Sequence, residues 1–255
     1  FVNGKQNSDF EDYVFEKPYT SSYVRTHLVG RGTGRETGVN VGGLHLANMW
    51  SINYNLGFFD TNHEKLTGGT TDSKNGSNIW SPLVAGRVAI SIGAPELEKY
   101  KLGANVNYFG KRNGITLAAN YSYQGNTDIQ KDNNLLGFDI LANYQDFNLS
   151  SEYDILGRTK SDGANYIDQL FHTKLSYNIH LSEEYILEPA LMYSLALISP
   201  KSTIGLPSES MFDFGINWYM NKNNIKFNTH FIQKTELNDS KKNTYLIGIG
   251  SQFLY

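Results

Sequence analysis

Along most of the chain, segments of about ten residues place an apolar side chain at every second position. Ile52, Tyr54, Leu56 and Phe58 alternate with Ser51, Asn53, Asn55 and Gly57. Ile115, Leu117, Ala119, Tyr121 and Tyr123 alternate with Thr116, Asn120, Ser122 and Gln124. Phe212, Phe214, Ile216 and Trp218 alternate with Asp213, Gly215 and Asn217, and Ile225, Phe227, Thr229 and Phe231 with Lys226, Asn228 and His230. A period of two is the signature of a strand, whose successive side chains point to opposite faces. The pattern predicts strands near 35–46, 49–60, 83–93, 115–125, 135–145, 147–157, 166–178, 185–197, 209–220, 225–237 and 243–255, with residues 1–5 as the tail of one more. The links between them are short at Ala47 and Asn48, near Asp146, at 181–184 and at 221–224. They are longer and polar at 61–82, 126–134, 158–165, 198–208 and 238–242.

The identity of the two faces shapes the architectural expectation. In the last strand Tyr245, Ile247, Ile249, Phe253 and Tyr255 share one face with Ser251, and Thr244, Gly248, Gly250 and Gln252 lie on the other, with Leu246 and Leu254 as exceptions. A sandwich filling one dry core seldom keeps so many facing positions as Asn, Ser and Gly, whereas a wet lumen does. The expected fold is therefore all-β, a single antiparallel transmembrane β-barrel spanning residues 1–255 with about 12 strands. Short turns on one side and long loops on the other fit that expectation, with the C-terminus periplasmic. Alternation holds if 94–114 is one irregular connection rather than a hairpin containing Leu102–Phe109.

Composition is compatible with such a wall. Hydrophobic residues make up 40% and mean hydropathy is −0.42, and no apolar run is long enough for a transmembrane helix. A barrel needs only alternate positions to be apolar. The net charge of −3 has no basic tract with interleaved aromatics, which excludes a nucleic-acid groove. Cysteine is absent, and Phe1-Val2-Asn3-Gly4-Lys5 shows no leader pattern.

Several segments resemble the phosphate-selective porin O and P family. Gly34-Arg35-Glu36-Thr37-Gly38-Val39 is similar to its Gly-Arg-Asp-x-Gly-Val motif, and the stretch from Trp50 to Phe59 to the strand that follows. Ala85-Gly86-Arg87-Val88 resembles its Gly-Arg-Val strand, and the stretch from Gly215 to Asn223 its Asn-Trp-Tyr-Leu-Asn-Pro-Asn hairpin. Val2-Asn3-Gly4-Lys5-Gln6 is similar to the strand before the family's constriction loop. The resemblance implies an outer-membrane porin of a Gram-negative bacterium, a barrel of about 16 strands that assembles as a homotrimer. Membrane lipid, lipopolysaccharide and small ions or anionic solutes are the implied partners. On that alignment the first four strands are missing, through truncation or because the chain is a shortened relative.

The resemblance also implies a constriction loop at 6–34 and an anion path. Its candidate cations are Lys17, Arg25, Arg31 and Arg35, with Arg87, Lys174, Lys226 and Lys234 on the polar strand faces. Asp139, Glu152, Asp154, Glu188 and Asp213 occupy the same faces, and opposite charges this close cancel at a distance. The expectation is thus passive diffusion of small solutes or ions, with an anion preference rather than a dedicated phosphate ladder. The alternative is a non-conducting barrel that serves as a scaffold subunit of a larger cell-envelope complex.

No enzyme is expected. The histidines are His27, His45, His63, His172, His180 and His230, and His172 with Ser176 lies too far apart along one strand for a hydrogen bond. His45 and His63 have no cysteine or clustered carboxylate partner, so neither a metal nor another cofactor is expected.

Overall fold

A computed structural model describes residues 37–60, 81–95, 109–126, 130–202, 207–221, 224–237 and 242–253. The expected strand at 1–5, the expected constriction loop at 6–34 and the cations Lys17, Arg25, Arg31 and Arg35 lie outside the described residues. Twelve strands follow in chain order. They are β1 (Thr37–Leu46), β2 (Trp50–Asp60), β3 (Leu83–Gly93), β4 (Gly114–Gln124), β5 (Gln130–Tyr144), β6 (Phe147–Lys160), β7 (Asn165–Tyr177), β8 (Ile179–His180), β9 (Tyr185–Leu197), β10 (Glu209–Met220), β11 (Ile225–Glu236) and β12 (Asn243–Phe253). The period-two segments therefore mark the strands closely. The largest boundary difference is β5, which begins five residues earlier than expected because Lys131 to Asn134 extend the ladder with β6 through a bulge near Gln130.

Each strand pairs antiparallel with its neighbour in sequence, giving one meandering sheet in the order β1-β2-β3-β4-β5-β6-β7-β9-β10-β11-β12. β3 pairs directly with β4, so 94–114 acts as a single connection. β8 is not a separate rung of the meander. Ser176 faces Ala190 and Ile179 faces Leu187, so β7 and β8 share one register against β9. The ladder lapses between them because Pro189 has no N–H to offer there.

Burial inverts the arrangement of a water-soluble sheet. Ser51, Asn53 and Asn55 of β2 are buried while Tyr54, Leu56 and Phe58 are exposed, and β11 buries Lys226, Asn228 and His230 while exposing Phe227 and Phe231. The sheet curls with its polar side inward. Phe109, in the connection before β4, packs edge-on against Tyr219 of β10 with ring centroids 5.0 Å apart. A flat sheet would hold those two strands roughly 24 Å apart, five strand spacings. The apolar side is the outer one, and there is little dry core: Leu135, Leu156, Leu170 and Ala196 form one small cluster, and Met192, Met211 and Ile232 another.

The expected barrel does not close. Among the described residues β1 pairs with β2 alone and β12 with β11 alone, so the sheet is open at both ends. Eleven strands lie on the hydrogen-bonded path among the described residues, so β1 and β12 run in the same direction and are not placed to pair antiparallel with each other. The expected count of about 12 included residues 1–5, which lie outside the described residues; among those described, the twelfth strand is the two-residue β8. An open edge carries a row of unpaired backbone groups that a hydrocarbon phase does not accept. The closed transmembrane barrel of about 12 or 16 strands is accordingly corrected to an open, all-β antiparallel sheet.

Candidate functional site

The inward face is a continuous layer of charged and amide side chains, positioned by the registers of successive strands. Arg87 of β3 lies opposite Asn120 of β4, which lies opposite Gly137 of β5. The guanidinium reaches over β4 to Asp139, two residues along β5, through Nε–H to Oδ2 at 3.0 Å and Nη2–H to Oδ1 at 2.6 Å. Glu152 and Asp154 of β6 stand beside this pair. Burial, with Asp139 adding to it, pushes the Asp154 carboxyl up to about 7. Burial also raises Glu152 well above its ordinary range, reinforced by Asp154 and Asp139 and opposed by Arg87. Gly137 leaves the space in which the Asp154 and Asn120 side-chain ends lie together, since a Cβ there would overlap both.

Towards the short-turn end, Glu188 of β9 is the hub. Its Oε1 lies 3.6 Å from Lys174 Nζ, and its Oε2 accepts hydrogen bonds from Asn217 Nδ2 at 3.0 Å and the Tyr219 hydroxyl at 2.7 Å. Asn217 in turn accepts from Asn228, and Lys226 stands 5.5 Å over the Tyr219 ring. Burial alone would raise Glu188; Lys174, the hydroxyls of Ser176 and Tyr219, and Lys226 outweigh it and hold the carboxyl below its usual range. At the long-link end Arg158 pairs with Asp168 at 3.4 Å, and Asp168 also accepts from the Ser199 N–H and the Ser202 hydroxyl. His230 meets Asp213 at 3.0 Å, and Lys234 pairs with Glu209.

These contacts place the sequence-derived cations. Lys174 and Lys234 each meet a carboxylate of the neighbouring strand, Arg87 meets one on the next strand but one, and Lys226 meets an aromatic face. They lie on one polar layer but do not converge on a common point. The acids Asp139, Glu152, Asp154, Glu188 and Asp213 share that layer, as their alternation indicated.

One row was invisible to sequence reasoning. Glu152, His172 and Ser194 stand opposite one another on β6, β7 and β9, and His172 Nδ1 lies 2.6 Å from Ser194 Oγ. A carboxylate, an imidazole and a hydroxyl in line invite comparison with acyl-transfer machinery. The environment argues otherwise. Burial, then Lys174, lowers His172 to about 3, which makes it a poor base, and Ser194 is 0% exposed and offers no surface to a substrate. Spacing along the chain rules out Ser176 as a partner of His172, and the hydroxyl that does meet it comes from a β7–β9 register that no local pattern encodes. Among the described residues no group of three His, Asp or Glu side chains is arranged to hold a metal ion.

The two edges lack the charges found in most of the strands between them. β1 and β12 contain no Asp, Glu, Lys, Arg or Pro, a property shared by the interior strand β4, which is paired on both sides, and by the two-residue β8. The inward-facing side chains of the two edges are exposed, Asn40 in β1 and Thr244 and Leu246 in β12, whereas Gly57 opposite Asn40 and Ile232 opposite Leu246 are buried. On the outward face Ile247 and Ile249 are each 79% exposed, among the barest apolar side chains described. Natural sheets guard long edges with charges, proline, bulges or cover. Among the described residues these edges show none of the four.

No protein-family model matches the sequence, and neither does any curated protein. The resemblance to the phosphate-selective porin O and P family is thus without support, and the open sheet contradicts the ring on which it depends. An open sheet encloses no continuous passage. The expectations that rested on closure are corrected with it: the porin or channel for diffusion of solutes or ions, and the barrel scaffold in an envelope complex. So too are the contacts with membrane lipid and lipopolysaccharide and the placement in a Gram-negative outer membrane.

Proposed function

We propose that this chain is a structural, non-enzymatic assembly protein whose sheet is extended by a strand from another polypeptide at its edges. The observation that carries the reading is the absence of charge and proline from β1 and β12, the two full-length strands that have a single pairing partner among the described residues. An antiparallel strand added to an edge of eleven residues, such as β12, makes on the order of ten backbone hydrogen bonds, two for every second residue, each contributing about 1 kcal/mol net. It also covers the inward-facing side chains of the edge strand, as β11 already covers one side of β12.

The charged layer supports the same role. Its ion pairs tie neighbouring or next-but-one strands together, Arg87 to Asp139, Lys174 to Glu188 and Lys234 to Glu209. They brace the curl that presents the edges. The exposed apolar outer face, from Val39 through Phe58 to Phe253, is of a kind that works covered.

Sedimentation equilibrium over a range of concentrations, with a non-ionic detergent covering the apolar face, tests the reading. Particles containing more than one polypeptide are expected. Single chains at every concentration, together with no binding of peptides carrying the β1 or β12 sequence, would overturn it.

A further inference from the structure

We infer that the strand added at β12 is β12 of a second copy of this chain, paired antiparallel about a two-fold axis. The inference rests on the strand-addition reading above and names its partner.

Geometry narrows the choice first. β1 and β12 point the same way, so a head-to-tail join of β12 to another copy's β1 that keeps the apolar face on one side makes a parallel pair. Rotating a second copy by half a turn about the sheet normal instead brings β12 against β12. That join is antiparallel, keeps both apolar faces on the same side and closes as a dimer.

Self-pairing also imposes a chemical condition. A strand laid antiparallel against its own copy brings like charges near one another wherever it carries a charge close to the axis. β12 carries none along Asn243–Phe253. In any register that matches odd positions to odd, Tyr245, Ile247, Ile249, Ser251 and Phe253 meet one another or Asn243 within the strand, never a charged side chain. Ile249 set on the axis, for example, places Tyr245 opposite Phe253 of the copy. Apolar side chains then line the join on the outer face, while the glycines Gly248 and Gly250 leave room on the inner one.

β1 fits less well. Its apolar residues change face along its length: Val39 and Val41 lie opposite Phe58 and Leu56, whereas Leu44 and Leu46 lie opposite Asn53 and Ser51 on the polar side. A self-paired β1 would mix the two kinds of side chain on both faces. The interior strands are excluded because both their sides are already paired.

The chain has no cysteine, so single substitutions report contacts without background. Ile249→Cys and Val41→Cys are compared under mild oxidation in detergent, alongside sedimentation mass. The expected result is a disulfide-linked dimer from Ile249→Cys, formed at least tenfold faster than from Val41→Cys. Dimeric mass with cross-linking at Val41→Cys alone, at both positions equally, or at neither overturns the assignment to β12 and leaves strand addition standing. Monomeric mass without cross-linking overturns both. Ile247→Lys, which places like charges near the axis, should lower the dimer association constant at least tenfold while leaving the far-ultraviolet spectrum unchanged; an unaltered constant counts against the join.

Discussion

Arg87 on β3 grips Asp139 on β5 across the whole width of β4, with two parallel hydrogen bonds of 3.0 and 2.6 Å. The pair is almost wholly buried, and Arg87 is the cation that opposes the mutual repulsion of Asp139, Glu152 and Asp154. Removing it leaves those carboxylates uncompensated. Arg87→Ala should lower stability by about 3–5 kcal/mol, the cost of breaking a buried pair from one side. Arg87→Lys, which keeps the charge and loses the fork, should fall between the two. Chemical denaturation of the three proteins checks the order.

Asp154 gives the pH dependence. Its carboxyl is raised from 3.8 to about 7 in the folded chain, so the folded state holds a proton that the unfolded state has released. Its contribution is fully present below about pH 4 and is lost as pH rises towards 7. Asp154→Asn should remove this loss. The variant should exceed the parent at pH 8 by on the order of 4 kcal/mol and match it near pH 4. Denaturation midpoints at the two values are the measurement, and a parallel pH response in both proteins would contradict the account.

Glu188 accepts from Asn217 and Tyr219 and pairs with Lys174 while fully buried. Glu188→Ala strands Lys174 together with the donors Asn217, Tyr219 and Ser176 and should cost about 3–5 kcal/mol. Glu188→Gln retains an acceptor oxygen and should cost less. The same denaturation series separates them.

Gly248 sits opposite His230, whose ring lies across it and is held on its other nitrogen-bearing side by Asp213. A methyl group at 248 overlaps that ring. Gly248→Ala should cost about 1–3 kcal/mol, the usual penalty of overpacking. It should also free His230 from Asp213, visible as a shift of the imidazole resonances.

Much of the strand pattern was legible because it is local. Phe212, Phe214, Ile216 and Trp218 alternate with Asp213, Gly215 and Asn217, and the structure sets them on opposite faces of β10. That the polar face is the inner one was also legible, from the Asn and Ser positions of β2 and β4. Closure was not. It depends on how the first and last strands of the meander pair, which no local pattern encodes. The charged contacts were legible only as a shared face. Arg87 finds Asp139 through two successive registers, and His172 finds Ser194 through a third, none of which any one strand specifies. The edges were the reverse case: the terminal aromatic strand stood out in the sequence, but its bareness acquired meaning only once β12 was seen to have a single neighbour.

The open order of strands is the claim on which the rest depends. Spin labels at Val41 and Ile249, on the outward faces of β1 and β12, report it when doubly labelled chains are diluted into an excess of unlabelled ones. The structure predicts that the two labels are not on adjacent strands, so no coupling is seen at separations below about 10 Å. A dominant population at about 5–10 Å, the spacing of labels on neighbouring strands, would mean that β1 and β12 lie side by side and would contradict the open sheet.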